Sequence, residues 1–378
     1  MDSRTIAVAV SGGVDSSTAA YLLTRGSLDR LFGVSHVIWP DAGSRNARAL
    51  ARAAEVCAQL GIPYVTLDLR NDFKRCVIDD FVRTYFGGKT PNPCVRCNER
   101  IRFTRFYSML KDSFQGDGTL AEDEPLYFAT GHYARIQEAD GRLYLRKARD
   151  AEKDQSYMLY KIPQGLLPYL IFPLGTLTKE EVVRTAREKG LPSASVRESQ
   201  DVCFVEGTYN DYLREVIAAG EWDPGRGDKE GEIVDSAGNV LGKHGGYIHY
   251  TVGQRKGLGL SSGPWYVLSL DPERNKVIVG RREELSTKRF LADELNWFGG
   301  PFEAELECSV KVRYNSDETP CRLQPAGAPE TPGTAGRPRQ VLVELEDPAA
   351  VTPGQSAVFY KDDIVLGGGV IEELRQDG

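Results

Sequence analysis

Thr5-Ile-Ala-Val-Ala-Val-Ser-Gly-Gly-Val-Asp-Ser-Ser17, continued by Thr18-Ala-Ala-Tyr-Leu-Leu23, decides the architecture of this chain. The short β-branched apolar run reads as a buried strand of the kind found in parallel sheets. Ser11-Gly12-Gly13 makes a tight turn, and Asp15, Ser16 and Ser17 open a helix. Strand, glycine turn and helix N-terminus form an anion cradle, with backbone N–H groups and the positive end of the helix dipole facing the same point. The pattern Ser-Gly-Gly-x-Asp-Ser is not the Walker loop, because it has no lysine. An ordinary strand–helix turn would use Gly and Ser for geometry alone, but the first strand–helix unit is where α/β folds hold nucleotides.

Outward from this stretch, strand and helix signals alternate. Leu31–Trp39 and Tyr64–Leu69 read as strands, and Asn46–Leu60 and Asp72–Phe86 as helices. That alternation predicts a doubly wound parallel sheet. Tyr127–Ala134 reads as a further strand ending at Gly131-His132, and Thr178–Lys189 as a helix with a Thr cap and acidic first turn. Near residue 220 the character changes to Gly/Asp-rich turns and short alternating strands. From Leu291 onward, even strand spacing with Gly/Pro turns predicts a small barrel. The expected organisation is an α/β domain over residues 1–215, a small mostly β domain over 216–280 and a β-barrel over 281–378. Pro325–Pro338 reads as a hairpin loop.

The 378 residues carry 41% hydrophobic and 27% charged side chains, the balance of a globular protein. No apolar run approaches the ~20 residues of a membrane span, and the first strand begins too early for a signal segment. Seven cysteines, an odd number, without a secretory signal point to a cytoplasmic protein with reduced, metal-bound or catalytic thiols. A net charge of −7 argues against non-specific coating of nucleic acid but permits a local basic face.

Two prolines in Gly88-Lys-Thr-Pro-Asn-Pro-Cys-Val-Arg-Cys-Asn98 predict a shaped loop carrying Cys94 and Cys97, followed by a helix with Arg100, Arg102, Arg105 and Lys111. Thiolates form more readily near helix N-termini and cations, and Cys97, flanked by Arg96 and Arg100, fits that description. Ser199-Gln-Asp-Val-Cys-Phe204 adds Cys203. Cys57 and Cys76 are expected to be buried on helix faces, and Cys308 and Cys321 to fill barrel positions.

The Ser-Gly-Gly-x-Asp-Ser loop is similar to the pyrophosphate loop of the ATP-pyrophosphatase superfamily. With reactive cysteines that likeness implies two stages: attack of a carbonyl-type oxygen on the α-phosphate of ATP, then displacement of AMP by sulfur. Further, Ser11-Gly-Gly-Val-Asp-Ser16, Thr90-Pro-Asn-Pro-x-x-x-Cys-Asn98, Thr130-Gly-His-Tyr133, Lys153-Asp-Gln-Ser-Tyr157, Ser199-Gln-Asp-x-Cys-Phe204, Gly253-Gln-Arg-Lys-Gly257 and Val312-Arg-Tyr314 occur in the order of the tRNA-specific 2-thiouridylase family. The resemblance spans nearly the whole chain and implies ATP-dependent conversion of the tRNA wobble uridine to 2-thiouridine. It implies that Ala9, Val10, Ser11, Gly12, Gly13, Val14, Asp15 and Ser16 hold the phosphates of ATP, with Mg2+, and that His36 and Gly131 lie beside the nucleotide. Asn92, Pro93 and Cys94 would lie against the target base. Lys153, Asp154, Gln155, Arg313 and Tyr314 would touch the tRNA, with Arg255 and Lys256 as further phosphate contacts. Cys203 would carry a persulfide and Cys97 would attack it or help deliver the sulfur. The donor would be a cysteine desulfurase, a sulfur-carrier protein or inorganic sulfide.

The chain departs from that family at Cys94, where many members have Asp. Cys94, Cys97 and Cys203 together are similar to the three-thiolate set of tRNA thiolation enzymes that hold a [4Fe–4S] cluster with one iron open. A plain replacement of Asp, with the persulfide route unchanged, is the alternative. His36 stands where the family often has Met. Beside the thiouridylase reading stand an ATP-pyrophosphatase-type amidating or thiolating synthetase acting on a small molecule, and a catalytically silent RNA-binding protein.

Overall fold

The computed structural model describes residues 3–25, 29–38, 45–139, 141–196, 202–205, 207–261, 263–299, 305–326 and 339–375. Two compact units divide the chain, one of residues 1–77, 94–201 and 362–366, the other of residues 78–93, 202–361 and 367–378.

In the first unit the opening apolar run forms β1 (Thr5–Ala9), and the residues after the glycines form α1 (Val14–Leu23). The alternation continues through β2 (Arg30–Val37), α2 (Arg45–Leu60) and β3 (Tyr64–Asp68). Trp39, expected at the end of the second strand, lies outside the described residues. Next come β4 (Leu126–Ala129), the hairpin of β5 (Ala134–Ala139) and β6 (Arg142–Lys147), and the short β7 (Leu170–Ile171). The sheet runs β3-β2-β1-β4-β7 with every pairing parallel. Ile6, Ala7 and Val8 are fully buried, as a central strand covered on both faces requires. Ala53, Val56 and Cys57 of α2 pack against Ile6, Val8 and Val10. Cys57 is buried as expected, whereas Cys76 is only half-buried.

Strand order reverses between β1 and β4, and such a switch point opens a crevice at the carboxyl ends of the strands. Ser11-Gly12-Gly13 and Thr130-Gly131 stand at those ends. α3 (Lys179–Glu188) carries the expected cap, a reciprocal box between Thr178 and Glu181. Residues 362–366 also belong to this unit: Ile364 pairs with Arg146 of β6, and the Asp363 carboxylate accepts from Arg135 at 2.6 Å.

Two segments differ from expectation. Tyr127–Ala134 is not one strand: β4 ends at Ala129 and β5 starts at Ala134. The backbone leaves the sheet so that Gly131 can meet α1, where a Cβ would stand 2.7 Å from the Ser16 amide nitrogen. The proline-rich stretch is not a loop through Cys97. Pro93 opens a helix, Pro93–Arg96, which continues as a π-helix, Cys97–Phe106, and as an α-helix, Tyr107–Gly116. Proline at a helix's first position loses no hydrogen bond, since that N–H has no intrahelical partner. Pro91 alone precedes the helix.

The second unit holds the helical stretch Asp79–Phe86, α4 (Tyr209–Ala218), and a sheet of β8 (Gly231–Asp235), β9 (Val240–His244), β10 (Tyr266–Asp271) and β11 (Lys276–Gly280) in the order β10-β11-β8-β9. β12 (Ser286–Trp297), β13 (Leu306–Lys311), β14 (Thr319–Ala326), β15 (Gln340–Ala350), β16 (Ser356–Lys361) and β17 (Ile364–Arg375) run in the order β12-β15-β14-β13-β16-β17. A β12–β17 pairing closes them into a barrel. Pro325 and Ala326, expected in the hairpin loop, end β14 instead, and residues 327–338 lie outside the described residues. Cys308 and Cys321 occupy barrel positions directly opposite one another, sulfur to sulfur 3.6 Å.

Candidate active site

The phosphate loop is held by its own hydroxyls and by two close backbone approaches. Ser16 Oγ accepts from the Ser11 amide at 3.0 Å and donates to the Gly13 carbonyl at 3.1 Å, and Ser17 Oγ donates to the same carbonyl at 2.8 Å. Gly12 has φ +73°, and a Cβ there would fall 2.2 Å from the Ala49 carbonyl oxygen of α2. Only glycine meets both conditions. Arg52 Nε donates to the Gly12 carbonyl from behind the loop at 3.2 Å. Gly13 caps α1 without a side-chain hydrogen bond, so the first-turn amides have no side-chain cap and point where an anion binds. Asp15, in that first turn, accepts from Tyr133 Oη at 2.9 Å and from Lys179 Nζ at 2.7 Å on each carboxylate oxygen. Ala9, Val10 and Val14 supply the backbone that enters and leaves this turn.

Of the other residues placed beside the nucleotide, Gly131 lies against the Asp15–Ser16 backbone. His36 is half-buried in β2, its ring 5.0 Å from that of Phe106. Desolvation, helped by the nearby Arg102 charge, pushes its pKa down to about 3, so the ring is neutral at physiological pH.

On the cysteine helix, Cys94 and Cys97 stand one turn apart and share a face. Cys94 is exposed, so reagents reach it even though dense surroundings raise its thiol pKa. Cys97 is half-buried, and burial pushes its thiol up to about 11. The cation opposing this rise is not the expected pair. Arg96 and Arg100 lie 3.1 and 3.8 Å from Glu99, which also faces the buried Lys161 at 3.5 Å. Arg102 favours the thiolate at both cysteines instead. In an α-helix, positions five apart point well away from each other; the i→i+5 bonding of a π-helix brings Cys97 and Arg102 toward one side. Arg102 is fixed there by the side-chain Oδ1 of Asn98 at 2.5 Å and His132 Nε2 at 3.2 Å. A guanidinium only donates, so His132 Nε2 accepts, and its Nδ1–H donates to Thr130 Oγ1 at 2.7 Å. Asn98 in turn donates to the Met158 carbonyl at 2.9 Å. The basic face expected of this helix is correspondingly reduced, because Arg102 turns inward and Arg105 pairs with Asp72 at 3.2 Å.

Cys203 belongs to the second unit and is exposed. Its neighbour Phe204 is buried edge-on against Phe81 and Tyr212, at 5.2 and 5.4 Å between ring centres. Ser199, Gln200 and Asp201 lie outside the described residues. Among the described residues, no group of three His, Cys, Asp or Glu side chains is placed to hold a metal ion. The donor chemistry of Cys94 and Cys97 suits two ligands of an iron–sulfur cluster, and Cys203 belongs to the other unit.

The residues assigned to RNA fall in three places. Asn92 is half-buried and Pro93 buried, and the chain just before them is held by Gln355, whose amide donates to the carbonyls of Thr90 and Pro91 at 3.1 and 2.9 Å. Asp154 is buried, its carboxylate accepting from the Ala148 amide and from Ser156 Oγ, while Gln155 Oε1 accepts from the Tyr133 amide; Lys153 is half-buried. Arg255 and Lys256 are exposed on a turn between Gly253 and Gly257, and a Cβ on Gly253 would sit 3.6 Å from Arg313 Nη2. Arg313 donates to Thr352 Oγ1 at 2.6 Å, and Tyr314 beside it is half-buried.

Arg102, Tyr133 and Lys179 were not among the sequence-derived site residues. Tyr133 lies within a quoted motif, so a signal existed. Nothing local marks Lys179 as the partner of a residue 164 positions earlier.

Three family models match the chain: tRNA methyl transferase HUP domain over residues 4–207, tRNA methyl transferase PRC-barrel domain over 225–281, and aminomethyltransferase beta-barrel domain over 287–371. The tRNA-specific 2-thiouridylase MnmA of Acidithiobacillus ferrooxidans is 43% identical over 97% of each chain. That of Moorella thermoacetica is 42% identical over 98% of this chain and 99% of its own, and that of Chloroflexus aurantiacus 44% over 97% and 98%. Among solved structures, the U34-tRNA thiolase NcsA of Methanococcus maripaludis with its [4Fe-4S] cluster matches 58% of this chain and 67% of its own at 17% identity and a TM-score of 0.31, a likeness that decides nothing about these cysteines. No helix among the described residues is long and apolar enough to cross a membrane. With relatives this similar along almost its whole length, and with the α/β sheet, its phosphate loop and the closed barrel in place, the chain belongs to the tRNA-specific 2-thiouridylase family.

Proposed function

We propose that this protein is a cytoplasmic tRNA-uridine 2-sulfurtransferase that uses ATP, with Mg2+, to adenylate the C2 oxygen of the wobble uridine and then displaces AMP with sulfur. The reading rests on one juxtaposition within the first unit: an uncapped phosphate loop at the sheet's switch point, and a cysteine helix whose Cys97 is served by a fixed arginine. Residues 1–215 are the catalytic domain in this reading, with 216–280 and 281–378 as the accessory β domains that carry Arg255, Lys256, Arg313 and Tyr314 toward tRNA. Ala9 to Ser16 hold the triphosphate, while Gly131 and His36 border the nucleotide. Asn92, Pro93 and Cys94 border the target base, and the segment of Lys153, Asp154 and Gln155 approaches the tRNA.

Free Cys97 is a thiol at neutral pH, so its nucleophile must be generated in the complex, where Arg102 stabilises the thiolate as it forms. Cys203 carries sulfur received from a desulfurase or carrier protein. Attack of Cys97 on the Cys203 persulfide releases the terminal sulfur and leaves a disulfide, which an external dithiol resets. Although the family-model descriptions mention methyl transfer, a phosphate loop with paired thiols serves adenylation and sulfur transfer. The test is formation of 2-thiouridine on a tRNA transcript, with AMP and pyrophosphate released in step. ATP turnover that needs no tRNA would instead favour a small-molecule synthetase. Cys203→Ala is expected to abolish thiolation with tRNA binding nearly intact; a fully active variant would sink the cysteine assignment.

A second reading is favoured by Cys94, one turn before Cys97: that Cys94, Cys97 and Cys203 hold a [4Fe–4S] cluster accepting sulfide. It predicts about four irons per chain in anaerobically prepared protein, lost with activity in Cys94→Ala. Absence of iron after reconstitution, with activity sustained by a persulfide donor, would eliminate it.

A further inference from the structure

The phosphate loop has no lysine of its own, and the structure offers one from far along the chain. Lys179 Nζ lies 2.7 Å from both carboxylate oxygens of Asp15, two residues past the glycine that caps α1. Lys179 is the first residue of α3, whose start is locked by the Thr178–Glu181 capping box and by the Lys179 amide donating to Asp150 at 2.8 Å. α3 packs on α1's neighbourhood through Val182, which joins Ala19 and Tyr133 in one core cluster, and Ala186, which joins Val14 in another. The ammonium is thus fixed beside the loop, yet its side chain keeps 19% of its surface open. Arg52, a second cation beside the loop, donates through Nε to the Gly12 carbonyl.

The loop's own donors are neutral and offer no full positive charge to a triphosphate. Ser16 and Ser17 give their hydroxyl protons to the Gly13 carbonyl, and the backbone amides supply dipoles but no full charge. We infer that Lys179 is the phosphate-binding lysine of this loop: it exchanges the Asp15 carboxylate for the pyrophosphate oxygens of ATP when the nucleotide enters. Asp15, so released, keeps Tyr133 as a donor and becomes available to the cation that accompanies ATP. The inference rests on the reading of the loop as an ATP site and adds a residue to it.

Calorimetric titration of the full chain with Mg·ATP, pyrophosphate and AMP tests this on wild type, Lys179→Met and Lys179→Arg. A lost charge-assisted contact predicts that Lys179→Met weakens ATP and pyrophosphate by about 10–100-fold. AMP, which lacks the pyrophosphate, should stay within about twofold, and Lys179→Arg should recover most of the loss. Unchanged pyrophosphate affinity in Lys179→Met would overturn the assignment, because the pair with Asp15 would then serve the fold alone. Equal weakening of AMP and pyrophosphate would overturn it too, by showing general damage to the loop. If the wild-type chain bound neither ATP nor pyrophosphate, the reading of the loop itself would fall, and the role of Lys179 with it.

Discussion

The phosphate loop and the cysteine helix belong to the same unit and reach their geometry by opposite means. In the loop, position is enforced by absence of side chain: Gly12 and Gly131 let backbone touch backbone, and short hydroxyl bonds fix what remains. On the cysteine helix, position is enforced by a change of helical pitch, with long side chains bound in series from Met158 through Asn98, Arg102 and His132 to Thr130. The first device tolerates almost no added atom. The second tolerates changes of atom but not of charge. A rigid cradle suits a nucleotide that must be held in one pose, and a tunable cation suits a sulfur whose protonation has to change during the reaction.

Gly12→Ala should separate the two devices most sharply. Its Cβ would overlap the Ala49 carbonyl at 2.2 Å in a left-handed conformation, and backbone cannot swing aside as a side chain would. The backbone strain alone is of order 1–3 kcal/mol. ATP binding by calorimetry should vanish while alkylation of Cys97 persists; ATP affinity near that of the wild type would break the account of the loop. Arg102→Met comes next in size. Because the Cys97 thiol sits at about 11, its alkylation rate should climb with pH across the whole range from 7 to 10. Removing the arginine should slow it roughly tenfold at fixed pH for each unit of further rise, with Arg102→Lys in between. Site-resolved mass spectrometry after iodoacetamide distinguishes Cys97 from the exposed Cys94, and identical profiles would deny Arg102 any electrostatic role.

The smallest effect is expected at His36. Its pKa is about 3 in the fold against an ordinary 6.5, so on acidification the unfolded chain takes up the proton first. The stabilisation is therefore whole above about 6.5 and drains away as pH falls toward about 3. His36→Met titrates in neither state and should flatten part of the decline in Tm between pH 7 and 4.5, to which the buried His132 contributes in the same direction. Parallel curves for the two proteins would contradict this.

The contrast also explains what could be read beforehand. The loop is local: strand, two glycines and a helix start lie in thirteen residues, and the Thr178 cap is likewise contained in one turn. The cysteine segment reads as a loop because two prolines in four residues look like breakers, whereas Pro93 fills a first helical position at no cost. The π-helix that follows has no sequence signature, and without its pitch Arg96 and Arg100 look closer to Cys97 than Arg102 does. Lys179 and Asp15 meet only because α3 packs on α1's side of the sheet, a tertiary fact that residue pattern does not encode. In the barrel, strand spacing was legible, while the pairing of β12 with β17 that closes it depends on strands at opposite ends of the sequence.

Residues 362–366 have a consequence for how the chain is made. Arg135 emerges from the ribosome 228 residues ahead of Asp363, its partner in the same unit. Throughout that interval the β5–β6 hairpin presents an unpaired edge next to a sheet already able to fold. Such an edge invites pairing with a neighbouring nascent chain. The unit that holds the phosphate loop is therefore among the first to begin folding, yet it is complete only once residue 366 has been made. A chain that stops before residue 362 would lack the partners of Arg135 and Arg146 in the earliest-synthesised part of the molecule as well as the closing strand of the barrel.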